Sequence, residues 1–161
     1  MSYNIFFDES GKIDRQNSEY SYYGCMGIAK LNSEKIKTKL SSLSDNRELH
    51  FQKFNLYSLD KYLEILNQVL KNASFNIYMV ENKRALEVSD TLGLSATELR
   101  ELLYIKTPER LIYGLLRKCR SYRNVNIFID QCDEYNNYDI ESKLKYQLNA
   151  QSYMVSYVSL S

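Results

Sequence analysis

The sequence lacks most of the signatures by which enzyme classes are recognised. It has no tryptophan, one histidine, one proline and three cysteines in 161 residues. A single histidine leaves one candidate base for a catalytic triad, and neither a GxSxG nor a CGxC segment accompanies it. Walker A and GxGxxG segments are also absent. The sequence therefore gives no support for a triad hydrolase or for a bound nucleotide cofactor.

Cysteine usage and the short hydrophobic runs indicate where the protein resides. Cys25, Cys119 and Cys132 are odd in number and form no CxxC pair, and four zinc ligands at metal spacing are missing. Such cysteines are typical of reduced, mostly buried residues in the cytoplasm. Apolar runs such as residues 125–129 are far shorter than the roughly 20 residues of a membrane span. The N-terminus also lacks the pattern of a signal peptide. We therefore expect a cytoplasmic protein without a membrane segment.

Charge is nearly balanced along the chain. With 21 Lys and Arg against 20 Asp and Glu, the net charge is +1, which gives no general argument for binding nucleic acid or membranes. One basic cluster follows Thr107 and consists of Arg110, Arg117, Lys118, Arg120 and Arg123. It could contact phosphates, but cations near the C-terminus of a helix also complement the helix dipole. We favour the second explanation.

Length and patterning predict one α/β domain over residues 1–161. A chain of this length, with 44% hydrophobic residues, can bury a core without disulfides or metal. Strand patterns cover residues 3–8, 20–31, 74–80, 125–130 and 153–160. Helical spacing covers residues 33–43, 55–71 and 139–149, and two further helices are expected to begin after Ser95 and at Thr107. This order predicts a mixed β-sheet flanked by helices.

Local signals set the expected helix starts. Asn32 is the expected cap of the helix over 33–43, and the Ser95–Glu98 segment has the form of a capping box. Thr107 followed by Pro108 predicts the start of a separate helix, because proline is favoured in a first turn. The stretch over 81–94 is the least regular, and it predicts a surface loop.

Two apolar strands of the predicted sheet end in aspartate, at Asp8 and at Asp130. Ligand sites of α/β sheets lie beyond the carboxyl ends of strands, so these carboxylates meet if the strands are parallel neighbours. Close like charges repel, and a divalent cation or a shared proton resolves the repulsion. Each aspartate could instead begin a turn. With both aspartates present and Gly11 just beyond the first, we favour the functional interpretation and expect the carboxylates within about 4–8 Å.

Three further residues could join this site. Glu9 adjoins Asp8, so it faces the same side only if the chain turns there, which Ser10 and Gly11 would allow. Glu48 and His50 are two residues apart and share one face if their segment is extended. They would add a carboxylate and an acid/base imidazole. A lone histidine in a polar turn is more often a structural group, and the residues alone leave both interpretations open.

The order of these segments resembles a known family. Asp8-Glu9-Ser10-Gly11 after the first strand, Tyr22-Tyr23-Gly24 in the second, Glu48-Leu49-His50-Phe51, and Ile127-Phe128-Ile129-Asp130 are similar to segments of the bacterial and phage family called domain of unknown function 3800. The resemblance runs over residues 3–160, and Asp-Glu-Ser-Gly is its most distinctive segment.

This resemblance implies an RNase H-like fold and a nuclease or integrase type of site. Asp8 and Asp130 would bind Mg²⁺ or Mn²⁺, with Glu9 and Glu48 as further ligands and His50 as a catalytic residue. The family continues past the last strand into a helix with another carboxylate, whereas this sequence stops at Ser161. We therefore expect a single RNase H-like domain over 1–161 that lacks a C-terminal helix.

Two functions follow from these expectations. The first is a metal-dependent nuclease, or a related phosphodiester-processing enzyme, in which Asp8, Glu48, His50 and Asp130 are catalytic and nucleic acid is the partner. The second is a catalytically inactive RNase H-like protein that binds or regulates a partner, in phage–host conflict for example. A chain that ends on a strand can expose a sheet edge, which favours a homodimer or another protein partner.

Overall fold

A computed structural model of the chain describes residues 2–13, 18–44, 55–117, 124–129, 139–151 and 157–160. The strands among these residues are β1 (Ser2–Ser10), β2 (Tyr20–Ala29), β3 (Ala73–Glu81), β4 (Asn124–Ile129) and β5 (Tyr157–Leu160). They form one five-stranded sheet in the order β3-β2-β1-β4-β5. The predicted strands are therefore present, and β1 extends two residues past Asp8.

The central strand β1 determines the mixed character of the sheet. It pairs antiparallel with β2, as expected for a hairpin with a long connection, and parallel with β4. The strand β3 then adds antiparallel to β2, and β5 adds parallel to β4. Gly11 ends the first strand with a φ of 84°, and a Cβ there would lie 2.7 Å from the Tyr20 carbonyl oxygen. The bend thus comes at Gly11, and Ser10 is still part of β1, so the chain does not turn directly after Glu9.

Alternate residues of β1 face opposite sides of the sheet. Tyr3, Ile5 and Phe7 are buried in the hydrophobic core, and we call their side the core face. The helices α4 (Ala96–Leu116) and α5 (Ile140–Gln151) cover it. Their most deeply buried side chains in this core are Ile112, Leu115, Ile140, Leu144 and Leu148.

The opposite side carries Asn4, Phe6 and Asp8, and we call it the Asp8 face. Two helices pack on it, α1 (Lys30–Leu43) and α2 (Leu59–Leu70), the latter preceded by a 3₁₀ turn over Leu56–Ser58. Asn4 Nδ2 donates to Ser33 Oγ of α1 at 3.2 Å. Residues of both helices, including Leu40 and Val69, border a cavity against Phe6. Helices therefore cover both faces of the sheet, as predicted.

The helix α1 begins earlier than expected. It starts at Lys30, its N-cap position is Ala29, and no side chain caps it. The prediction that Asn32 caps this helix is wrong, because β2 passes into the helix without a connecting loop. In α2 the predicted helix is present, but its evenly spaced leucines are exposed and Ile65 is its one buried residue among those described.

The stretch expected to be a surface loop is instead a helix, α3 (Asn82–Thr91). The glycine that terminates this helix explains why the sequence suggested a loop. Gly93 has a φ of 69°, and its N–H donates to the Asp90 carbonyl while the Leu94 N–H donates to Ser89. This paired bonding is a Schellman motif, in which glycine terminates a helix. Gly93 therefore marks the end of α3 and is not part of an irregular loop.

The helix α4 is continuous where two helices were expected. Pro108 lies inside it, and Thr107 is a buried interior residue and not a cap. A proline inside a helix costs about 3 kcal/mol. Burial of Tyr104 and Ile112 on either side offsets that cost, since each fully buried apolar side chain contributes about 1.5–3 kcal/mol. The predicted capping box is confirmed: Ser95 Oγ accepts from the Glu98 N–H, and the Glu98 carboxylate accepts from the Ser95 N–H.

None of the helices among the described residues is both long and apolar enough to cross a membrane.

Two glycines of β2 allow a matched test of the packing. A Cβ on Gly27 would lie 2.6 Å from the buried ring of Tyr3, whereas among the described residues a Cβ on Gly24 would meet only the Asp8 carbonyl oxygen, at 3.8 Å. We expect Gly27→Ala to lower the free energy of unfolding by about 1–3 kcal/mol through overpacking, and Gly24→Ala to change it by less than about 0.5 kcal/mol. Urea denaturation followed by circular dichroism measures both. Equal effects of the two substitutions would contradict this packing.

Candidate functional site

Asp8 lies near the end of the central strand with its side chain exposed to solvent. One of its carboxylate oxygens, Oδ1, accepts a hydrogen bond from the Glu9 N–H at 2.9 Å. A carboxylate has about four acceptor positions on two oxygens, so this local bond leaves capacity for a ligand. That Asp8 belongs to a functional site stays a prediction.

The pairing of β1 with β4 forms rows of side chains across the Asp8 face. Asn4 lies beside Asn126, whose Nδ2 donates to Asn4 Oδ1 at 2.9 Å. Phe6 lies beside Phe128, and their rings stack with centroids 5.0 Å apart and an interplanar angle of 15°. The next pair along the two strands is Phe7 with Ile129, and Phe7 faces the core. The paired residues of β1 and β4 therefore lie on the Asp8 face and on the core face in alternation.

Asp130 follows Ile129 in the sequence but lies outside the described residues. The last register pair before it joins Ile129 to Phe7, which precedes Asp8. The structure thus confirms the parallel, neighbouring arrangement of the two strands on which the proposed pairing depends. The pairing of the two carboxylates itself stays a prediction.

On the side of Asp8 that faces β2, Gly24 leaves open space among the described residues. It is the cross-strand partner of Asp8, and Ile77 of β3 follows it in the same row. Among the described residues, the Asp8 carbonyl oxygen is the one atom within 4 Å of a Cβ built on Gly24. Within this part of the chain, the neighbour of Asp8 on β2 therefore has no side chain that covers it.

A cavity of about 510 Å³ lies on the Asp8 face, between the sheet and the helices α1 and α2. The Phe6 and Phe128 rings form part of its wall, together with polar groups of Asn4, Ser41 and Ser44. Ser44 is the C-cap of α1, and the segment from there to Asn55 contains Glu48 and His50, which lie outside the described residues. This segment joins two helices that pack on the Asp8 face, so its ends are anchored on the same side as Asp8.

Glu9 lies on the other side of the sheet. Because β1 continues as a strand through Ser10, Asp8 and Glu9 face opposite sides. Glu9 is the cross-strand partner of Tyr23, and its charge contributes to raising the pKa of that phenol. The structure does not bring Glu9 and Asp8 to one face, and the predicted metal-binding role of Glu9 stays a prediction.

Other candidate groups are placed as follows. Among the described residues, no three His, Cys, Asp or Glu side chains are grouped so that they could hold a metal ion. Arg110 and Arg117 of the basic cluster are exposed, and the rest of that cluster lies outside the described residues. Cys25 is buried, as expected, and burial raises the pKa of its thiol to about 12. An inert thiol of this kind points to packing and not to catalysis.

Comparison with known proteins bears on the fold. No family model and no curated protein matches the chain. Among solved structures, the chain is similar to a chain of the PCNA:RNase HII complex from Archaeoglobus fulgidus, with a TM-score of 0.54 at 12% sequence identity. The match covers 100% of this chain and 62% of that chain.

The fold is RNase H-like. The sheet order, its single antiparallel-to-parallel change at β1 and the helices on both faces agree with this likeness. At 12% identity the likeness shows the fold alone. Membership of the family called domain of unknown function 3800 stays a prediction, since no family model matches.

Sequence reasoning missed several residues around Asp8 in the candidate site. Gly24 clears the space beside Asp8, and the Phe6–Phe128 stack lies one row below it. In the sequence, Gly24 is recognisable only as part of the aromatic segment Tyr22-Tyr23-Gly24. Its signal was its position: it lies opposite Asp8 once β1 and β2 are paired as a hairpin. Register across strands, which sequence spacing alone does not fix, was needed to see it.

We expect Tyr23, which is buried on the core face, to make the stability of the protein depend on pH. Burial first, then the charge of Glu9 and the neighbouring Tyr78, raises the pKa of Tyr23 to about 12 from an ordinary 10.0. The folded protein thus favours the neutral phenol, and this stabilisation is complete below pH ~10 and lost as the pH rises to ~12. We expect the free energy of unfolding to fall over that range.

The matched control is Tyr23→Phe. Because burial also raises the pKa of Cys25 to about 12, some fall persists in the variant, but we expect it to be shallower than in the wild type. Denaturation midpoints measured between pH 9 and 12 for both proteins provide the comparison. Identical pH profiles would show that Tyr23 ionises as freely in the folded protein as in the unfolded chain.

Proposed function

We propose that the protein is a metal-dependent nuclease, or a related phosphodiester-processing enzyme, of RNase H-like fold. The observation that carries the proposal is the exposed carboxylate of Asp8 on the central strand, beside a parallel strand whose last paired residue, Ile129, precedes Asp130 in the sequence. The likeness to a chain of an RNase HII complex supports a nuclease-like fold. Nucleic acid is the proposed partner.

Asp8 and Asp130 would hold Mg²⁺ or Mn²⁺, and Glu48 would complete the set. Carboxylate oxygens are the ligands that these hard cations prefer. Asp8 fits this role because its side chain is exposed and one backbone hydrogen bond orients it. A bound ion would supply an activated water and would stabilise the leaving oxygen of a phosphodiester.

The remaining residues of the chain would position the substrate and move protons. His50 is the chain's one histidine, and it would accept or donate a proton near neutral pH. Gly24 leaves the approach to Asp8 open, and exposed Tyr22 lies next along β2 on the same face. This arrangement admits an extended polymer that crosses the sheet beside Asp8, and not only a small ligand.

Metal binding tests the proposal directly. We expect Mn²⁺ to bind the wild-type protein in calorimetric titration, and Asp8→Asn and Asp130→Asn each to weaken binding at least about tenfold, as loss of metal-site groups commonly does. Asp90→Asn is the matched control, because Asp90 is an exposed residue at the end of α3. Unchanged binding in both site variants would overturn the proposed metal site.

Cleavage separates an enzyme from a binding protein. We expect the wild type with Mn²⁺ to cleave at least one of three labelled substrates: single strands, duplexes or RNA–DNA hybrids. Asp8→Asn should lower the rate at least about 100-fold. Metal binding without cleavage of any substrate would favour the alternative function, an inactive RNase H-like protein that binds or regulates a partner.

Gly24 offers an independent test of substrate approach. We expect Gly24→Leu to reduce cleavage at least about tenfold, because its side chain would occupy the space between Asp8 and Ile77. Mn²⁺ affinity and stability should stay close to those of the wild type. Gly24→Ala is the control with a minimal side chain, and cleavage by Gly24→Leu at the wild-type rate would contradict this approach path.

A further inference from the structure

The strand β3 is an edge of the sheet, and its apolar side chains are exposed. Among the described residues, β2 is its one strand partner. Exposure is 72% for Ile77, 54% for Met79, 49% for Tyr78 and 37% for Phe75. A strand edge that stays in contact with water does not need exposed apolar residues on both of its faces. The composition of β3 is therefore that of a surface that pairs with another chain.

The usual protection of an edge is missing from β3. Edge strands are normally short, charged, bulged or interrupted by proline. The sequence of β3 is ASFNIYMVE, nine residues with no proline, no lysine and one charge, Glu81, at its last position. Nothing within the strand therefore opposes the addition of another strand to its outer backbone groups, which no other described strand pairs with.

On the core face of β3, a cavity lies on each side of Tyr78. One cavity of about 430 Å³ lies between Tyr78 and the α4 residues Lys106, Arg110 and Leu111. Another of about 520 Å³ lies between Tyr78 and the α3 residues Arg84 and Val88. Tyr78 is thus a ridge between two depressions, and a strand that adds here could place a side chain in either one.

We propose that β3 pairs antiparallel with β3 of a second copy of this chain, with the two-fold axis at Ile77. The pattern of β3 is symmetric about that residue, since Phe75, Ile77 and Met79 share the Asp8 face. The axis places Ile77 against Ile77 of the second copy, and Phe75 against Met79. Aromatic and sulfur-containing side chains form favourable contacts.

The core-face side chains also agree with this register. Asn76 would lie opposite Tyr78 of the second copy, and Asn76 Nδ2 already donates to the carbonyl of Leu111, which borders the first cavity. The tyrosine of each copy would therefore enter the depression beside α4 of the other. With the axis at Tyr78 instead, Phe75 would oppose the Glu81 carboxylate, which is a less favourable pair.

The charge pattern favours a second copy as the occupant. Each β3 has one carboxylate, and the register at Ile77 places Glu81 against Ala73 at the end of the ladder. The two carboxylates thus stay at opposite ends and do not repel. The dimer would contain one continuous ten-stranded sheet, and its two Asp8 residues would lie on one face, five strand spacings or ~24 Å apart.

Sedimentation velocity tests the association. We expect the wild type to pass from monomer to dimer as its concentration rises from about 1 to 100 µM, since small interfaces bind weakly. Ile77→Lys should raise the dissociation constant at least about tenfold, because two introduced lysines would face each other across the axis. Tyr146→Lys is the control: Tyr146 is 78% exposed but lies on α5.

Disulfide trapping tests the register, in a background with Cys119→Ser and Cys132→Ser. We expect Ile77→Cys alone to form covalent dimers under mild oxidation. Phe75→Cys and Met79→Cys should crosslink when mixed and much less when separate, because residues 75 and 79 oppose each other and not themselves. A wild type that stays monomeric at all concentrations, or crosslinking that is equal for all single variants, would overturn the proposal.

Discussion

The alternation of side chains along β1 is the constraint on which the rest of the structure depends. Tyr3, Ile5 and Phe7 are buried against α4 and α5, so the intervening residues must face the other way. A slip of one residue would place Asn4, Phe6 and Asp8 in the hydrophobic core. The same alternation fixes the register of β4, because Ile127 must enter the core beside Ile5. The position of Asp8 is thus decided by core packing.

Much of this fold could be predicted from local sequence, and the failures have physical causes. The strands were recognisable because apolar and aromatic residues alternate over short segments. The break expected at Pro108 was wrong because burial of the surrounding helix outweighs a local cost, and local sequence does not report burial. The missed helix α3 has no side-chain cap at its start, so only Gly93 marks it, and glycine is equally common in loops.

The candidate site was predictable in outline only. Asp8 could be chosen because it follows an apolar strand and precedes a turn, and the structure places it on the central strand. Its relation to Gly24, Phe128 and Glu9 depends on strand register, which is decided by pairing between distant segments. The separation of Asp8 and Glu9 onto opposite faces followed once β1 proved to continue beyond both residues. Glu48, His50 and Asp130 stay predictions that rest on the sequence.

The pairing of β1 with β4 also has a consequence for how the chain folds. Asn4 and Asn126 are hydrogen-bonded although 122 positions separate them. During synthesis the antiparallel strands β1, β2 and β3 leave the ribosome before β4, so one side of β1 stays unpaired until residues 124–129 are made. Long-range closure of this kind is entropically slow. The strand that carries Asp8 is therefore synthesised well before the second strand that pairs with it.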